Sequence, residues 1–173
     1  MLGDDYRGLV GSFPYAARHS ESWLFRAYAV LSALVALFVA VALTLSLVTL
    51  IASTASLRGG STTLSRAFFG VVGLLILFPL VAPVLAVARR HRRREAPPSS
   101  RHDAAFALAG FLFVCSLYGT LLASIPADLR DPASAAGALE PLIAALYAAP
   151  PLTGLAFPAA AALLIAALWF RTR

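Results

Sequence analysis

Residues 27–52 read AYAVLSALVALFVAVALTLSLVTLIA, and no charged side chain interrupts them. A helix rises about 1.5 Å per residue, so about 20 residues cross a hydrocarbon core of about 30 Å. The stretch is longer than that, and most of its residues are apolar. It therefore predicts a transmembrane helix.

Three more uncharged stretches follow, at 67–88, 104–125 and 152–170. The chain of 173 residues is 60% apolar and 13% charged, against about 45–50% and about 25% in soluble domains. We therefore expect an all-α fold, an integral membrane bundle of four transmembrane helices that forms a single membrane domain over 1–173. No segment between the helices reaches the roughly 40 residues that an independent domain needs, which excludes a soluble catalytic or DNA-binding domain.

The segments outside these spans predict two short helices. In the cytoplasmic tail, 1–26, Pro14 suits the first turn of an interfacial helix that Ser12 or Phe13 would precede. Residues 89–103 form an arginine-rich cytoplasmic loop. In the external loop, 126–151, a short apolar helix over 141–148 lies at the external interface or dips into it. The alternative is that 141–149 continue into helix four as one kinked helix. Earlier in the same loop, Asp131-Pro132 suits the start of another short helix.

Arginine distribution predicts the orientation. All 14 basic residues are arginine, and eleven of them lie in the tail, the second loop and the C-terminal stub. Positive residues collect in cytoplasmic loops, so we expect a multi-pass protein of the cell membrane with both termini in the cytoplasm. Trp23 and Trp169 lie at the same side, where amphipathic rings favour the headgroup level.

The densest charge is in the run RRHRRR at 89–94. It could bind anionic lipid headgroups, at about 1 kcal/mol per basic residue, or it could serve only as a topology signal. The arginines concerned are Arg89, Arg90, Arg92, Arg93 and Arg94. Downstream, Asp103 suits the N-cap of helix three.

The predicted spans contain no Asp, Glu, His, Lys or Arg. Ionisable groups inside membranes mark proton relays and ion sites, so we expect neither a proton-coupled carrier nor a metal site. His19, His91 and His102 fall at the cytoplasmic edge, where we interpret them as ordinary loop residues, and Cys115 has no partner cysteine. We therefore expect no catalytic residue, no cofactor and no enzymatic activity.

Small residues recur every four positions on two of the helices. Small faces let membrane helices approach closely, which predicts that helices one and three provide the packing faces, although their hydroxyls could instead line a pathway. The residues are Ser32, Ala36, Ala40 and Thr44 on helix one, and Cys115, Gly119 and Ala123 on helix three. Pro79 and Pro83 in helix two could mark a hinge or a static kink.

The segments RGLVGSFPYAAR at 7–18 and SWLFRAY at 22–28 resemble the start of small, uncharacterised multi-pass membrane proteins of haloarchaea. The distinctive part is Gly11, Phe13, Pro14 and Tyr15, and the resemblance ends after about 30 residues. It implies a location and an architecture, and it assigns no catalytic residues. The absence of lysine is compatible with such a source, and an actinobacterial source would give a similar composition.

These patterns favour a protein that acts by helix packing with itself or with a membrane partner, as an assembly or structural subunit. The alternative is a transporter or channel subunit for a neutral or lipophilic solute. The expected partners are membrane lipids and a second copy or another membrane protein. The net charge of +6 comes from arginines at helix ends, so we expect no nucleic-acid partner.

Overall fold

The computed structural model describes residues 8–55, 60–93, 100–126, 140–148 and 151–171. These residues form helices, except for short non-helical stretches at 20–22, 54–55 and 124–126. In chain order the helices are α1 (Gly8–His19), α2 (Trp23–Ser53), α3 (Gly60–Arg93), α4 (Ser100–Ala123), α5 (Glu140–Ala148) and α6 (Pro151–Arg171). The chain divides into two compact units, 1–107 and 108–173.

Four of these helices are long and apolar enough to cross a membrane. The candidate spans are Trp23–Ser53, Thr63–Arg92, Ser100–Ala123 and Gly154–Arg171. They coincide with the four uncharged stretches to within a few residues at each end. The prediction of an all-α chain with four such helices is therefore confirmed for the described residues.

In the first unit, α1 packs against both α2 and α3. Its buried residues, Ser12 and Ala16, are four apart and so lie on one helix face. Both are small, which allows close approach of the neighbouring helices. The buried part of α2 is its beginning, with Phe25 and Tyr28, and the buried part of α3 is its second half, with Leu80 and Val84.

The other ends of α2 and α3 are joined by an arginine. The guanidinium of Arg66 donates from Nη2 to the carbonyl of Thr54 at 3.2 Å and to its hydroxyl at 2.7 Å. Thr54 is the C-cap of α2, where the last carbonyls lack helical donors and a positive charge is favourable. One of the few arginines outside the predicted cytoplasmic segments therefore stabilises the end of a helix.

Two local predictions are wrong. Pro14 lies inside α1, because the helix begins six residues earlier, at Gly8. Pro14 is exposed, so the carbonyl of Val10, which loses its helical donor, can be hydrated. The predicted loop at 89–103 begins late, because α3 continues to Arg93. Arginine is a good helix former, and the first strong helix breakers after Ala88 are Pro97 and Pro98.

In the second unit, α6 lies close to α4 at a glycine. A Cβ placed on Gly154 would be 3.5 Å from the Cβ of Ala123 and 3.8 Å from the Cα of Thr120. Helix α5 forms the predicted short helix before α6. Residues 149–150, which would decide between separate helices and one kinked helix, lie outside the described residues, as does the segment around Asp131.

Candidate functional site

A buried carboxylate brings three side chains together in the first unit. Asp103 is 1% exposed. Its Oδ2 accepts a hydrogen bond from the hydroxyl of Ser20 at 2.6 Å and lies 3.0 Å from Nε2 of His91. Its Oδ1 lies 3.5 Å from Nδ1 of His102. We call Ser20, His91, His102 and Asp103 the polar cluster.

Three chain segments meet at the polar cluster. Ser20 is in the linker between α1 and α2, His91 is in the last turn of α3, and Asp103 is in the first turn of α4. Two residues that follow the buried Ser20 also bind it. The backbone N–H of Ser22 donates to the Ser20 hydroxyl at 3.2 Å, and Nε of Arg26 donates to the Ser20 carbonyl at 2.9 Å. The cluster thus connects the linker to the ends of two long helices.

This arrangement corrects two predictions from the sequence. Asp103 is not the N-cap of its helix, because α4 begins at Ser100, and its carboxylate binds side chains of other segments. His91 and His102 are not ordinary loop residues, because they lie in helices with side chains only 12% and 13% exposed. His19 is different, since it is exposed. Its Nδ1 lies 2.9 Å from the carbonyl oxygen of Tyr15, and its ring stacks on the ring of that tyrosine.

The hydrogen bonds indicate which ring nitrogens of the cluster carry a proton. An ionised carboxylate only accepts, so His91 donates from Nε2 and His102 donates from Nδ1. Nε2 of His102 is buried without a hydrogen-bond partner, which fits a neutral ring whose Nε2 is a bare lone pair. The ring also packs against Phe106, with centroids 4.9 Å apart. Among the described residues, no group of three or more His, Cys, Asp or Glu is placed to hold a metal ion.

The predicted small face of α2 runs from a buried to an exposed position. Ser32 is buried, Ala36 and Ala40 are half-buried, and Thr44 is exposed. Its exposed end borders a groove of about 220 Å³ between α2 and α3. The groove is lined by Ala40, Leu43, Thr44, Leu47, Phe69, Gly70, Gly73, Leu74 and Leu77.

The two glycines of this groove differ. A Cβ on Gly73 would lie 2.6 Å from Cδ1 of Leu43, so the leucine fills the space that the missing side chain leaves. A Cβ on Gly70 would meet nothing within 4 Å. The first glycine therefore serves the contact between α2 and α3, and the second is open to another molecule.

The predicted small face of α4 has three different surroundings. Cys115 is exposed, Gly119 is half-buried and Ala123 is buried. A Cβ on Gly119 would lie 3.8 Å from a methyl group of Leu146 in α5, an ordinary contact. Ala123 lies against Gly154 of α6. The thiol of Cys115 thus faces outward, whereas Gly119 and Ala123 face neighbouring helices of the same unit.

Hydroxyl groups bind carbonyls at two proline-containing helices. Pro158 has no N–H for the carbonyl of Gly154. The hydroxyl of Thr120 lies 2.7 Å from that carbonyl and 2.9 Å from the carbonyl of Ser116, and since the Ser116 carbonyl also has its regular helical donor, the hydroxyl donates to Gly154. In α3, the hydroxyl of Tyr28 donates at 2.6 Å to the carbonyl of Leu80, within the segment that contains Pro79 and Pro83. Neighbouring helices often satisfy carbonyls freed by membrane prolines in the way that Thr120 does at Gly154. The carbonyl of Leu80 also has the helical donor of Val84, so the Tyr28 bond joins α2 to α3 beside the two prolines without replacing a lost donor.

The first four arginines of the predicted lipid-binding run, Arg89, Arg90, Arg92 and Arg93, lie in the last turns of α3. Arg89 and Arg92 are exposed and Arg90 is half-buried. Of Arg93 only the backbone is described, and Arg94 lies outside the described residues. Arg90 and Arg92 flank His91 of the polar cluster in the last turn of α3.

Four long apolar helices, with polar side chains collected at helix ends or bound to carbonyls, define a helical multi-pass membrane protein. The chain belongs to the family described as Domain of unknown function (DUF8056), whose family model matches residues 2–173. Comparisons with curated proteins and with solved structures found no match.

Proposed function

We propose that this protein is an assembly subunit of the membrane, which acts by packing α2 and α3 against a second copy of itself. The proposal includes the orientation with both termini in the cytoplasm, which the arginine asymmetry supports. It also includes contacts between anionic lipid headgroups and the exposed arginines Arg89 and Arg92.

The supporting observation is the exposed apolar part of α2. None of the most apolar 18 residues of this helix is buried within the chain. Phe38 is 73% exposed and Leu45 is 61% exposed, whereas Phe25, Tyr28, Ala29 and Ser32 near the beginning of the same helix are buried. In a bilayer, such a surface contacts either lipid or another helix.

The groove favours a helix as the additional neighbour. Helix–helix contacts in membranes depend on close packing, and small residues permit it. Gly70, Ala40 and Thr44 are the small residues that line the groove, and a Cβ placed on Gly70 would meet nothing within 4 Å. A second copy supplies the required apolar helix, since its own α2 presents large exposed side chains such as Phe38.

A transport role lacks a comparable observation. The hydroxyls of Thr44, Thr49, Ser116 and Ser124 all donate to carbonyls of their own helices. Hydroxyls bonded in this way are already satisfied and are compatible with lipid or packed helices. Flux measurements in vesicles would nonetheless detect a solute pathway directly.

Disulfide cross-linking tests the proposed contact. Cys115 is first replaced by serine, and Thr44→Cys is then introduced at the groove. The matched control is Ser46→Cys, because two residues along a helix turn the side chain by about 200° at nearly the same depth. Both positions are exposed. After mild oxidation in native membranes, the Thr44→Cys chain should form a covalent dimer and the Ser46→Cys chain should not.

Equal cross-linking at both positions would indicate random collision in the bilayer and would contradict the proposal. Monomer alone at Thr44→Cys and at Gly70→Cys would contradict it as well. Dilution with added lipid provides a further check, since a specific dimer should persist when the protein-to-lipid ratio falls about tenfold.

A further inference from the structure

Helix α2 begins with an exposed tryptophan and an exposed arginine on one face. Trp23 is 79% exposed, and Arg26 follows three positions later. Residues three or four positions apart are neighbours on a helix surface, and the series continues with the exposed side chains of Val30 and Leu34. We call these four residues the Trp23 face. None of them lines the groove between α2 and α3, so the Trp23 face is a different surface of the helix.

The guanidinium of Arg26 is oriented by one hydrogen bond. Its Nε donates to the carbonyl of Ser20 at 2.9 Å, and the hydroxyl of Ser20 donates to the buried Asp103 at 2.6 Å. The carbonyl that orients the arginine therefore belongs to a residue of the polar cluster. In the described part of the chain, Arg26 forms no ion pair, and its two Nη groups make no hydrogen bond.

The position of Arg26 along α2 is that of a lipid headgroup. It directly precedes the uncharged stretch 27–52, so it lies where the hydrocarbon core begins, and the ring of Trp23 lies at the level that amphipathic aromatic side chains favour. Val30 and Leu34 are about 6 Å and about 12 Å farther along the helix, at the depth of acyl chains. The Trp23 face therefore matches the order of a phospholipid, in which a charged phosphate precedes the apolar chains.

A phosphate group is the anion that fits this arginine. A guanidinium forms two parallel N–H bonds with phosphate oxygens, and both Nη groups of Arg26 point to no other partner in the described residues. The phosphate of phosphatidylcholine is next to a quaternary ammonium group, whereas no cation balances the phosphate of phosphatidylglycerol. Charge complementarity therefore favours an anionic phospholipid over a zwitterionic one.

We propose that the Trp23 face binds one anionic phospholipid, with the headgroup phosphate on Arg26 and an acyl chain along Val30 and Leu34. The site is separate from the headgroup contacts of Arg89 and Arg92 and does not depend on the assembly role. Its assignment to the cytoplasmic leaflet rests on the proposed orientation. One basic residue at an anionic membrane surface corresponds to a preference of about fivefold, which is the expected ratio of binding constants for phosphatidylglycerol and phosphatidylcholine.

Quenching of Trp23 fluorescence tests the site in the full chain. The sequence contains two tryptophans, so Trp169→Phe leaves Trp23 as the single reporter. The protein is reconstituted in vesicles of phosphatidylcholine with brominated acyl chains, which quench a tryptophan that they contact. Unbrominated phosphatidylglycerol or unbrominated phosphatidylcholine is then mixed in as the competitor. We expect phosphatidylglycerol to restore the fluorescence at a lower mole fraction, with the relative binding constant of about fivefold. Both leaflets have the same composition, so the result does not depend on the orientation.

Two arginine substitutions distinguish this site from the general attraction of a basic protein for an anionic membrane. Arg26→Gln should lower the ratio of binding constants to about one. The matched control is Arg89→Gln, because Arg89 is also exposed and lies at the end of α3 that is predicted to be cytoplasmic. This control should retain the preference of the parent chain.

The proposal is overturned if the two competitors restore the fluorescence of the parent chain equally. It is also overturned if Arg26→Gln keeps the preference, or if Arg89→Gln lowers it to the same extent. Inorganic phosphate added at constant ionic strength should leave the preference unchanged, and its loss would indicate a site for soluble anions instead. Should Arg26→Gln fail to fold, Arg26→Met replaces it, and a preference that survives in that variant contradicts the proposal.

Discussion

Replacing Thr120 with valine removes the hydroxyl that compensates for Pro158. The carbonyl of Gly154 then has neither a helical N–H nor the side-chain donor that now lies 2.7 Å away. Valine keeps the size and branching of threonine, so packing changes little. An unsatisfied buried polar group costs about 1–3 kcal/mol, and side-chain hydrogen bonds between membrane helices contribute about 0.6 kcal/mol on average and about 1.7 kcal/mol at most. Since Thr120 is half-buried, we expect Thr120→Val to lower the free energy of unfolding by about 1 kcal/mol.

A double-mutant cycle isolates this contact. Pro158→Ala restores an N–H that can bond the Gly154 carbonyl, so Thr120→Val should cost less than about 0.5 kcal/mol in that background. Unfolding in mixed detergent micelles, followed by circular dichroism, provides all four free energies. Thr44→Val is the control, because the Ala40 carbonyl that accepts from this hydroxyl also has the regular helical donor. The reasoning is refuted if Thr120→Val costs the same with proline and with alanine at position 158.

Three other changes have definite expected outcomes. Tyr28→Phe removes a buried donor to α3 and should destabilise the first unit by about 1 kcal/mol, measured by hydrogen exchange of the α3 amides, where unchanged exchange would contradict the argument. Gly119→Leu forces the new side chain against Leu146 and should lower the free energy of unfolding by about 1–3 kcal/mol in the same detergent assay. The control Leu117→Ile should lower it much less, and equal losses of stability in the two variants would show that α4 packs through another face. A reporter fused after Arg173 should be active only in the cytoplasm, and activity outside the cell would reverse the proposed orientation.

The four long helices could be predicted because lipid imposes a simple requirement. A segment such as 27–52 must be apolar over its whole length, and this property is visible without any knowledge of its neighbours. The ends were less predictable, because a run of arginines is polar enough for a loop and also well suited to a helix. That ambiguity led to the wrong end for α3.

The polar cluster could not be predicted for a different reason. Ser20, His91 and Asp103 are far apart in sequence, and each has an ordinary local explanation. Their meeting depends on the packing of α1 against α3, which no periodicity records. One feature of the sequence pointed to the cluster. Asp103 is an acidic residue that lies in a basic segment, directly before an apolar stretch. At such a position, pairing of the carboxylate with a neighbouring cation is an alternative to capping the helix.

The length of α2 has a consequence for the lipid around it. A helix of 31 residues is about 46 Å long, whereas the hydrocarbon core is about 30 Å thick. Its apolar part alone exceeds that thickness, so α2 tilts or the adjacent acyl chains extend to match it. Hydrophobic mismatch of this kind costs a fraction of a kcal/mol per Å. The mismatch is therefore smaller in bilayers with longer acyl chains than in thin ones, and the free energy of inserting α2 depends on the thickness of the membrane.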